Sequence, residues 1–197
     1  MESSLQHAGL FLITTVFNLY LMLILLRFFL QWVHADFYNP FAQFITRTTN
    51  PILVPLRRVI PGFAGLDMAA VVLVVCLNML KLFLVHVIAV HTMPHAIGIL
   101  IWTGGDLLSQ ILSLFFFAIL LQILISFVNQ GQANPLARIL NQLNEPLIAP
   151  IRKIIPVIAG IDISPVPVML VLQLLTILIA EPIIVSGRHL ALLGGLS

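Results

Sequence analysis

Among the polar side chains inside the apolar stretches of this sequence, five are the first candidates for chemistry. They are Asn78, Lys81, His86, Gln173 and Glu181. Ionisable groups in a lipid-facing segment are costly, so they usually pair with one another or line a path for ions or protons. We expect Lys81, His86 and Glu181 to lie at comparable depth and form one cluster, either a structural ion pair or a pathway. The amides of Asn78 and Gln173 would form hydrogen bonds between helices.

Other chemistry finds little support in the sequence. His91 and His95 have a spacing that suits a metal on a helix, but Pro94 lies between them and no third ligand is evident. We therefore expect interfacial histidines and no metal site. The sequence also offers no Ser/His/Asp set, nucleotide-binding loop or paired carboxylates, so we expect no enzyme and no cofactor.

A second charged group occupies the two linkers between the apolar stretches: Arg57, Arg58, Asp67, Arg152, Lys153 and Asp162. Basic pairs with apolar neighbours belong at the headgroup level, where each cation near an anionic surface contributes about 1 kcal/mol. Each aspartate would cap the following helix and could pair with the arginine ten residues earlier. The alternatives are a docking surface for a protein partner, a re-entrant element, or an ion ligand at a vestibule. The cations are too few to indicate nucleic-acid binding.

The composition shows what kind of protein must position these groups. Of the 197 residues, 60% are hydrophobic and only 8% are charged, whereas soluble domains have about 45–50% apolar and about 25% charged residues. The single cysteine, Cys76, permits no internal disulfide. The composition therefore excludes a soluble enzyme, a disordered regulator and a disulfide scaffold, and indicates an integral membrane protein.

Four stretches are long and apolar enough to span a bilayer: residues 8–33, 68–90, 107–128 and 166–185. Their apolar runs lack the alternation of a β-barrel, so the predicted fold class is all-α with four transmembrane helices. The sequence Thr-Gly-Gly-Asp at residues 103–106 is interpreted as a break before the third span. Residues 94–102 and the tail from Gly187 are expected to lie at an interface.

The chain contains a duplication at a fixed offset of 95 residues. From Asn39 to Asp67, 11 of 29 positions are identical to those 95 residues later, and most of these are Pro, Gly or charged. We predict a first repeat over residues 1–95 with linker 34–67, and a second over 96–197 with linker 129–165. Two spans per repeat imply a pseudo-two-fold axis along the membrane normal, with both linkers on one side.

The distribution of basic residues predicts the side on which the linkers lie. Six of the nine Lys and Arg residues lie in the two linkers. Because Lys and Arg in short loops favour the cytoplasmic face, we expect cytoplasmic linkers and external termini. Arg27, near the same end of the first span, is expected to snorkel toward the headgroups.

Each linker is expected to contain short amphipathic helices. Asn39-Pro40 and Asn134-Pro135 fit an N-cap followed by proline at the first helical position. These helices should stop near Thr49 and Asn144, because a proline follows two residues later. A second short piece would then carry the basic pair. Ser164-Pro165 has a further cap-plus-proline signature.

The duplicated pattern is Asn-Pro, then Pro-x-x-x-Pro-x-Arg-(Arg/Lys)-x-Ile-Pro, then Gly-(Leu/Ile)-Asp. It resembles that of the YggT family of bacterial inner-membrane proteins over nearly the whole chain. The first repeat departs from the second at Ala69-Ala70, where the second has Ser164-Pro165.

The resemblance implies a multi-pass inner-membrane protein that supports osmotic-shock tolerance and potassium homeostasis, and a homo-oligomer is one expected form of it. The associations of relatives with cell division and membrane-complex assembly imply an alternative. In that alternative the protein is a scaffold whose basic linkers dock anionic lipids and a membrane or cytoplasmic protein partner.

Overall fold

The computed structural model describes residues 2–63, 65–128, 134–155 and 162–193. Within them the fold is helical apart from one bridge between Phe63 and Leu66. The helices are α1 (Glu2–Trp32), α2 (Pro40–Val59), α3 (Met68–Val90), α4 (Ala96–Val128), α5 (Pro135–Arg152), α6 (Pro165–Leu175) and α7 (Glu181–Leu192). A π-helical turn, Thr176–Ala180, joins α6 to α7.

Four helical stretches in the described part of the chain are long and apolar enough to cross a membrane: Ser4–Trp32, Met68–Val90, Ala96–Phe127 and Pro165–Leu192. The shortest has 23 residues, which at 1.5 Å per residue is about 34 Å, against a hydrocarbon core of about 30 Å. The predicted all-α, four-span class is therefore confirmed, and the protein is a multi-pass membrane protein.

The spans are longer than the sequence suggested. The third begins at Ala96, so residues 103–106 lie inside α4 and most of the predicted interfacial segment is helix. Gly187 likewise lies inside α7 and not in an interfacial tail. The first helix begins at Glu2. Residues 194–197 of the predicted tail lie outside the described residues.

Close packing of α4 against α7 explains why Gly98 and Gly187 do not break these helices. A Cβ atom added to Gly98 would collide with the backbone of Ala191, and one added to Gly187 with the backbone of Trp102. Small residues let transmembrane helices approach closely, and the packing gained compensates for the low helix propensity of glycine.

The linker helices α2 and α5 are continuous, so the predicted stops near Thr49 and Asn144 are wrong. Pro51 and Pro55 lie inside α2, as Pro146 and Pro150 lie inside α5. A proline removes one N–H and leaves the carbonyl four residues earlier without its helical partner. All four prolines are on the exposed face, where water or headgroups can bind those carbonyls. The opposite, buried stripe holds both halves of each helix against the spans.

The helix caps follow the predicted pattern with two exceptions, Ser164 and Asp162. Asp162 accepts a hydrogen bond from the Ser164 N–H at 2.9 Å, before α6 begins, and so does not cap that helix. Asn39 Oδ1 accepts a hydrogen bond from the Phe41 N–H at 3.0 Å, and Asn134 Oδ1 accepts one from the Leu136 N–H at 2.9 Å. Ser164 makes no side-chain cap; its hydroxyl instead donates to the carbonyl of Ile155 at 3.3 Å.

The spans form an open row in the order α1, α3, α4 and then α6 with α7. The linker helices α2 and α5 contact each other, and the Asn39 amide donates to the Pro135 carbonyl at 2.6 Å. Both linkers therefore lie at one end of the row, here called the linker end. Among the described helices α1 does not pack along α6 or α7. An exact two-fold axis between the repeats would require the last span to contact α1 as α3 contacts α4. The described helices lack this contact, so the expected pseudo-two-fold symmetry is incomplete within one chain.

Candidate functional site

Lys81 forms an ion pair in the interior of the protein, near the middle of α3. Its side chain is only 2% exposed. The Nζ atom donates to Asp106 Oδ2 at 2.6 Å and to Asn18 Oδ1 at 2.9 Å. One ammonium group therefore joins α1, α3 and α4.

Two amides extend this arrangement toward the linker end. Gln110 Nε2 donates to Asp106 Oδ2 at 2.6 Å and to Asn78 Oδ1 at 3.2 Å. The Asn78 amide in turn donates to the Thr103 carbonyl at 3.3 Å. We call Asn18, Asn78, Lys81, Asp106 and Gln110 the polar cluster. Asn78 thus forms the interhelical hydrogen bonds expected of it.

The polar cluster is covered on one side and accessible on the other. Lys81 and Asn78 are buried, whereas the Asp106 side chain is 21% exposed and Asn18 is exposed. Breaking a buried ion pair by removing one partner typically costs 3–5 kcal/mol, because a charge is left uncompensated. The arrangement can hold a fixed positive charge beside a carboxylate that the protein does not fully cover.

The predicted cluster of Lys81, His86 and Glu181 is wrong. Glu181 is exposed at the start of α7, and the carboxylate beside Lys81 is Asp106. Sequence reasoning missed Asp106 because it was assigned to a break between helices. The depth of Asp106 becomes apparent only once α4 is known to begin at Ala96. Asp106 then lies ten residues after the start of α4, and Lys81 lies nine before the end of α3.

The histidines lie away from the polar cluster, toward the end opposite the linkers. The buried His86 ring lies near Thr92, with Nε2 3.4 Å from the hydroxyl oxygen. His91 ends α3 in the left-handed conformation, at φ 60°. The His95 N–H donates to the Ala191 carbonyl at 3.1 Å. In the described residues, no group of three or more His, Cys, Asp or Glu could hold a metal ion.

Gln173 lines a cavity of about 160 Å³ between α4 and α6, together with Ser113 and Thr176. These three positions are the 95-residue counterparts of Asn18, Asn78 and Lys81: Ser113 replaces Asn18, Gln173 replaces Asn78 and Thr176 replaces Lys81. We call this space the neutral cavity. The duplication has therefore produced two equivalent polar sites, of which only the first is charged.

The charged residues of the linkers form the expected pairs ten residues apart. Arg57 pairs with Asp67, with Nε 3.1 Å from Oδ2, and Arg152 pairs with Asp162 at 3.0 Å between the same atoms. Asp67 also caps α3 by accepting a hydrogen bond from the Ala70 N–H. The second cation of each basic pair, Arg58 or Lys153, is exposed.

The environment of the second pair shifts both of its pKa values. Burial disfavours the charged form of Asp162, but hydrogen bonds from Ser164 and the charge of Arg152 outweigh it, so the pKa of Asp162 lies below its ordinary value. Burial likewise disfavours charged Arg152, but its bonds to Asp162 and the nearby Glu145 raise its pKa. Both groups are therefore charged at neutral pH.

A duplicated hydrogen bond fastens each linker helix to a span, and sequence reasoning missed it. Arg27 of α1 donates to the Thr49 hydroxyl at 2.6 Å, and the Asn144 amide donates to Gln122 Oε1 of α4 at 2.7 Å. Gln122 and Asn144 are the 95-residue counterparts of Arg27 and Thr49. Arg27 is only 5% exposed, so it does not snorkel as expected. The fixed offset was the signal that could have linked these positions.

The comparisons with known proteins agree with this duplicated architecture. The family model described as CCB3/YggT matches residues 6–88 and 101–183, so the second match begins 95 residues after the first. The chain is 41% identical over 180 residues to an uncharacterized protein of Pseudomonas aeruginosa, covering 89% of each chain. It is 39% identical over 182 residues to the uncharacterized protein YggT of Escherichia coli K12, covering 91% of this chain and 93% of that protein.

A protein of Vibrio alginolyticus is 40% identical over 174 residues, which is 87% of this chain and 92% of that protein. No solved structure matches the chain. The double match and the relatives that align over most of their length establish the family. The chain belongs to the CCB3/YggT family.

Proposed function

We propose that this protein is a non-enzymatic membrane scaffold whose linker end binds anionic lipid and so positions partner membrane proteins. The observation that carries the proposal is the pair of linker helices held together at one end of the spans. Both helices are amphipathic, and both are fastened to a span by the duplicated hydrogen bond. A rigid amphipathic surface of this kind suits the headgroup region of a bilayer.

In each basic pair, the first cation forms an ion pair with an aspartate and the second is exposed at the surface. Arg57 and Arg152 bind the aspartates that begin the following spans. Arg58 and Lys153 are exposed beside the exposed apolar side chains Val59 and Ile154. Apolar groups next to a cation favour insertion among anionic headgroups, which attract each cation by about 1 kcal/mol.

Charge also supports an orientation for this surface. Six of the nine Lys and Arg residues are in the linkers, and this bias favours the cytoplasmic side of a bacterial inner membrane, with the termini outside.

The test is lipid retention by the whole protein in nanodiscs that contain phosphatidylcholine with 30% phosphatidylglycerol, measured by native mass spectrometry. The double variant Arg58→Gln, Lys153→Gln should retain fewer phosphatidylglycerol molecules than the unmodified protein. Arg58→Lys, Lys153→Arg keeps both charges and should retain as many. Equal retention by the glutamine variant would remove the support for the scaffold.

A second candidate, an ion-coupled role in osmotic tolerance and potassium homeostasis, is favoured by the polar cluster. The Lys81–Asp106 pair lies inside the spans, where ionisable residues are functional candidates by default. Its partly exposed carboxylate is the group that a moving ion or proton would meet.

Liposomes with the purified protein and a potassium- or pH-sensitive dye test this candidate. Asp106→Asn should lower the flux, whereas Glu181→Gln, which removes an exposed carboxylate outside the cluster, should not. Flux equal to that of protein-free liposomes would exclude the ion-coupled role and leave the scaffold.

A further inference from the structure

We propose that α1 of a second copy of this chain packs over the neutral cavity, so that the protein assembles through contacts between α1 and α6. The starting observation is that three polar side chains, Ser113, Gln173 and Thr176, line this cavity. Gln173 is exposed and lies eight residues past the start of α6, about 12 Å along the helix axis. Lipid tails offer an amide no hydrogen-bond partner at that depth.

The first repeat shows what covers such a site. There the counterparts Asn78 and Lys81 are buried and covered by α4, which supplies Asp106 and Gln110. Because α4 is the first helix of the second repeat, its counterpart is α1. The neutral cavity would therefore be covered by α1 if the arrangement of the first repeat were continued.

Within one chain α1 does not reach this position, since α1 and the last span lie at opposite ends of the row. A second copy can supply it. The residues of α1 that correspond to Asp106 and Gln110 are Phe11 and Thr15. They are four residues apart and share a face of the helix, and Phe11 is 68% exposed.

The cavity and these two side chains match in size and chemistry. A cavity of about 150 Å³ can hold benzene, and the neutral cavity has about 160 Å³. Leu112, Phe116 and Leu172 lie in its wall beside the three polar side chains. It therefore has room for the ring of Phe11 of the partner subunit. The hydroxyl of the partner's Thr15 would then meet the Gln173 amide, as Gln110 meets Asn78 in the first repeat.

The proposed contact is head-to-tail, from α1 of one copy to α6 of the next. Such contacts form a closed ring when the rotation between copies closes. If that rotation is 180° about the membrane normal, two copies place each α1 on the α6 of the other. In that dimer neither copy keeps an open edge.

Disulfide crosslinking in native membranes tests the contact. In a Cys76→Ser background, which removes the exposed native thiol, Thr15→Cys with Gln173→Cys should give a reducible dimer on oxidation. The control is Thr15→Cys with Val171→Cys, because Val171 is exposed but two residues away, and so on another face of α6. No dimer, or equal dimer in the control or in either single-cysteine variant, would overturn the proposal.

A measurement without cysteines keeps the proposal falsifiable if the crosslinked variants fold poorly. Mass photometry in nanodiscs or light scattering in mild detergent should show a dimer. Phe11→Ala should weaken the dimer at least tenfold, while Leu12→Ala, on a neighbouring exposed position, should leave it unchanged. A monomeric unmodified protein, or equal effects of the two alanine substitutions, would contradict the assignment.

Discussion

Lys81 connects three spans through one ammonium group, so loss of the polar cluster would weaken the contacts among three helices and not between two alone. Its partners come from α1 and α4. Polar contacts as well as apolar ones therefore join α3 to each of these two helices. Because the ammonium is buried, its energy depends on keeping the Asp106 carboxylate beside it. This dependence can be measured as protein stability.

Asp106→Asn should lower the free energy of unfolding by about 3–5 kcal/mol, because Lys81 then remains buried without its counter-charge. The double variant Lys81→Met, Asp106→Asn should be more stable than Asp106→Asn alone, since it removes the uncompensated charge. Thermal unfolding in detergent, followed by tryptophan fluorescence, measures both. The exposed Glu181→Gln serves as control and should change stability by less than about 0.5 kcal/mol. A double variant less stable than the single one would contradict this interpretation.

The Arg152–Asp162 pair predicts a dependence on acid pH. Because the pKa of Asp162 is lower in the folded protein, its stabilising contribution is present above the unfolded value of about 3.9 and is lost as the pH falls through the folded value. The unmodified protein should therefore melt above Asp162→Asn at pH 6, and the two melting temperatures should converge below about pH 4. A difference that stays constant from pH 6 to pH 3 would show that the charge of Asp162 is not responsible.

At the residue scale, local spacing made the linker pairs predictable and hid the polar cluster. The ten-residue separation of Arg57 and Asp67 occurs twice, and each pair joins residues that are close in sequence, so little beyond the sequence is needed. The Lys81–Asp106 pair depends on where α4 begins. Two consecutive glycines before Asp106 indicate a break when helix propensity alone is considered.

At the scale of elements, the contact between α4 and α7 determines at which positions glycine is required for close packing. Gly98 and Gly187 face backbone of the other helix, whereas a Cβ at Gly104 would meet nothing within 4 Å. Helix propensity favours alanine over glycine by up to about 1 kcal/mol. Packing must therefore reverse this preference at the contact positions.

Gly187→Ala should destabilise the protein, by about 1–3 kcal/mol, because the added methyl group forces the helices apart. Gly104→Ala, in the same helix pair but facing away, should be neutral or stabilising by up to about 1 kcal/mol. Melting temperatures of the two variants give the comparison directly. Equal behaviour would mean that α4 and α7 are not in close contact.

The linker helices offer a second element-scale prediction. Thr49→Val removes the hydroxyl that accepts a hydrogen bond from the buried Arg27 guanidinium and leaves it the longer bond to the Thr46 carbonyl, at 3.4 Å. The expected cost is about 1–3 kcal/mol. Hydrogen exchange along α2 should then become faster. Thr48→Val is a matched control, because the Thr48 hydroxyl bonds only within α2, to the Phe44 carbonyl. Unchanged exchange in Thr49→Val would show that apolar contacts alone hold α2.

The continuity of α2 and α5 could not be predicted from the prolines, since the effect of a proline depends on its face. Pro51 and Pro55 are four residues apart and both point outward, so the carbonyls they release are not buried. The amphipathic stripe was visible in the sequence. Only the tertiary contacts show that this stripe holds one unbroken helix.

At the scale of the whole molecule, four spans, two repeats and the shared end of the linkers followed from composition and from the 95-residue offset. The open row of helices did not, because the offset relates sequences and does not determine the rotation between the repeats. The difference between the two repeats is seen at particular residues. Lys81 contacts Asp106, whereas its counterpart Thr176 faces an open cavity.

Orientation is a property of the whole molecule, and charge predicts it. A cysteine at Arg58 should react with a membrane-impermeant maleimide only after the cells are opened, in a Cys76→Ser background. A cysteine at exposed Leu5, near the opposite end, should react in spheroplasts that remain intact. Labelling of the Arg58 position in intact cells would show that the topology is the opposite of the predicted one.

The π-helical turn between α6 and α7 limits how far the repeat can be used as a guide. A π turn accommodates one extra residue, which rotates everything that follows by about 100° relative to a continuous α-helix. Pro182, just after the turn, lacks the N–H that a regular helix would require there. Beyond Ala180, side chains that are 95 residues apart therefore no longer point in equivalent directions. His86 is buried, yet its counterpart Glu181 is exposed. The π turn has thus allowed the second repeat to turn a different set of side chains toward α4 while its sequence register stayed intact.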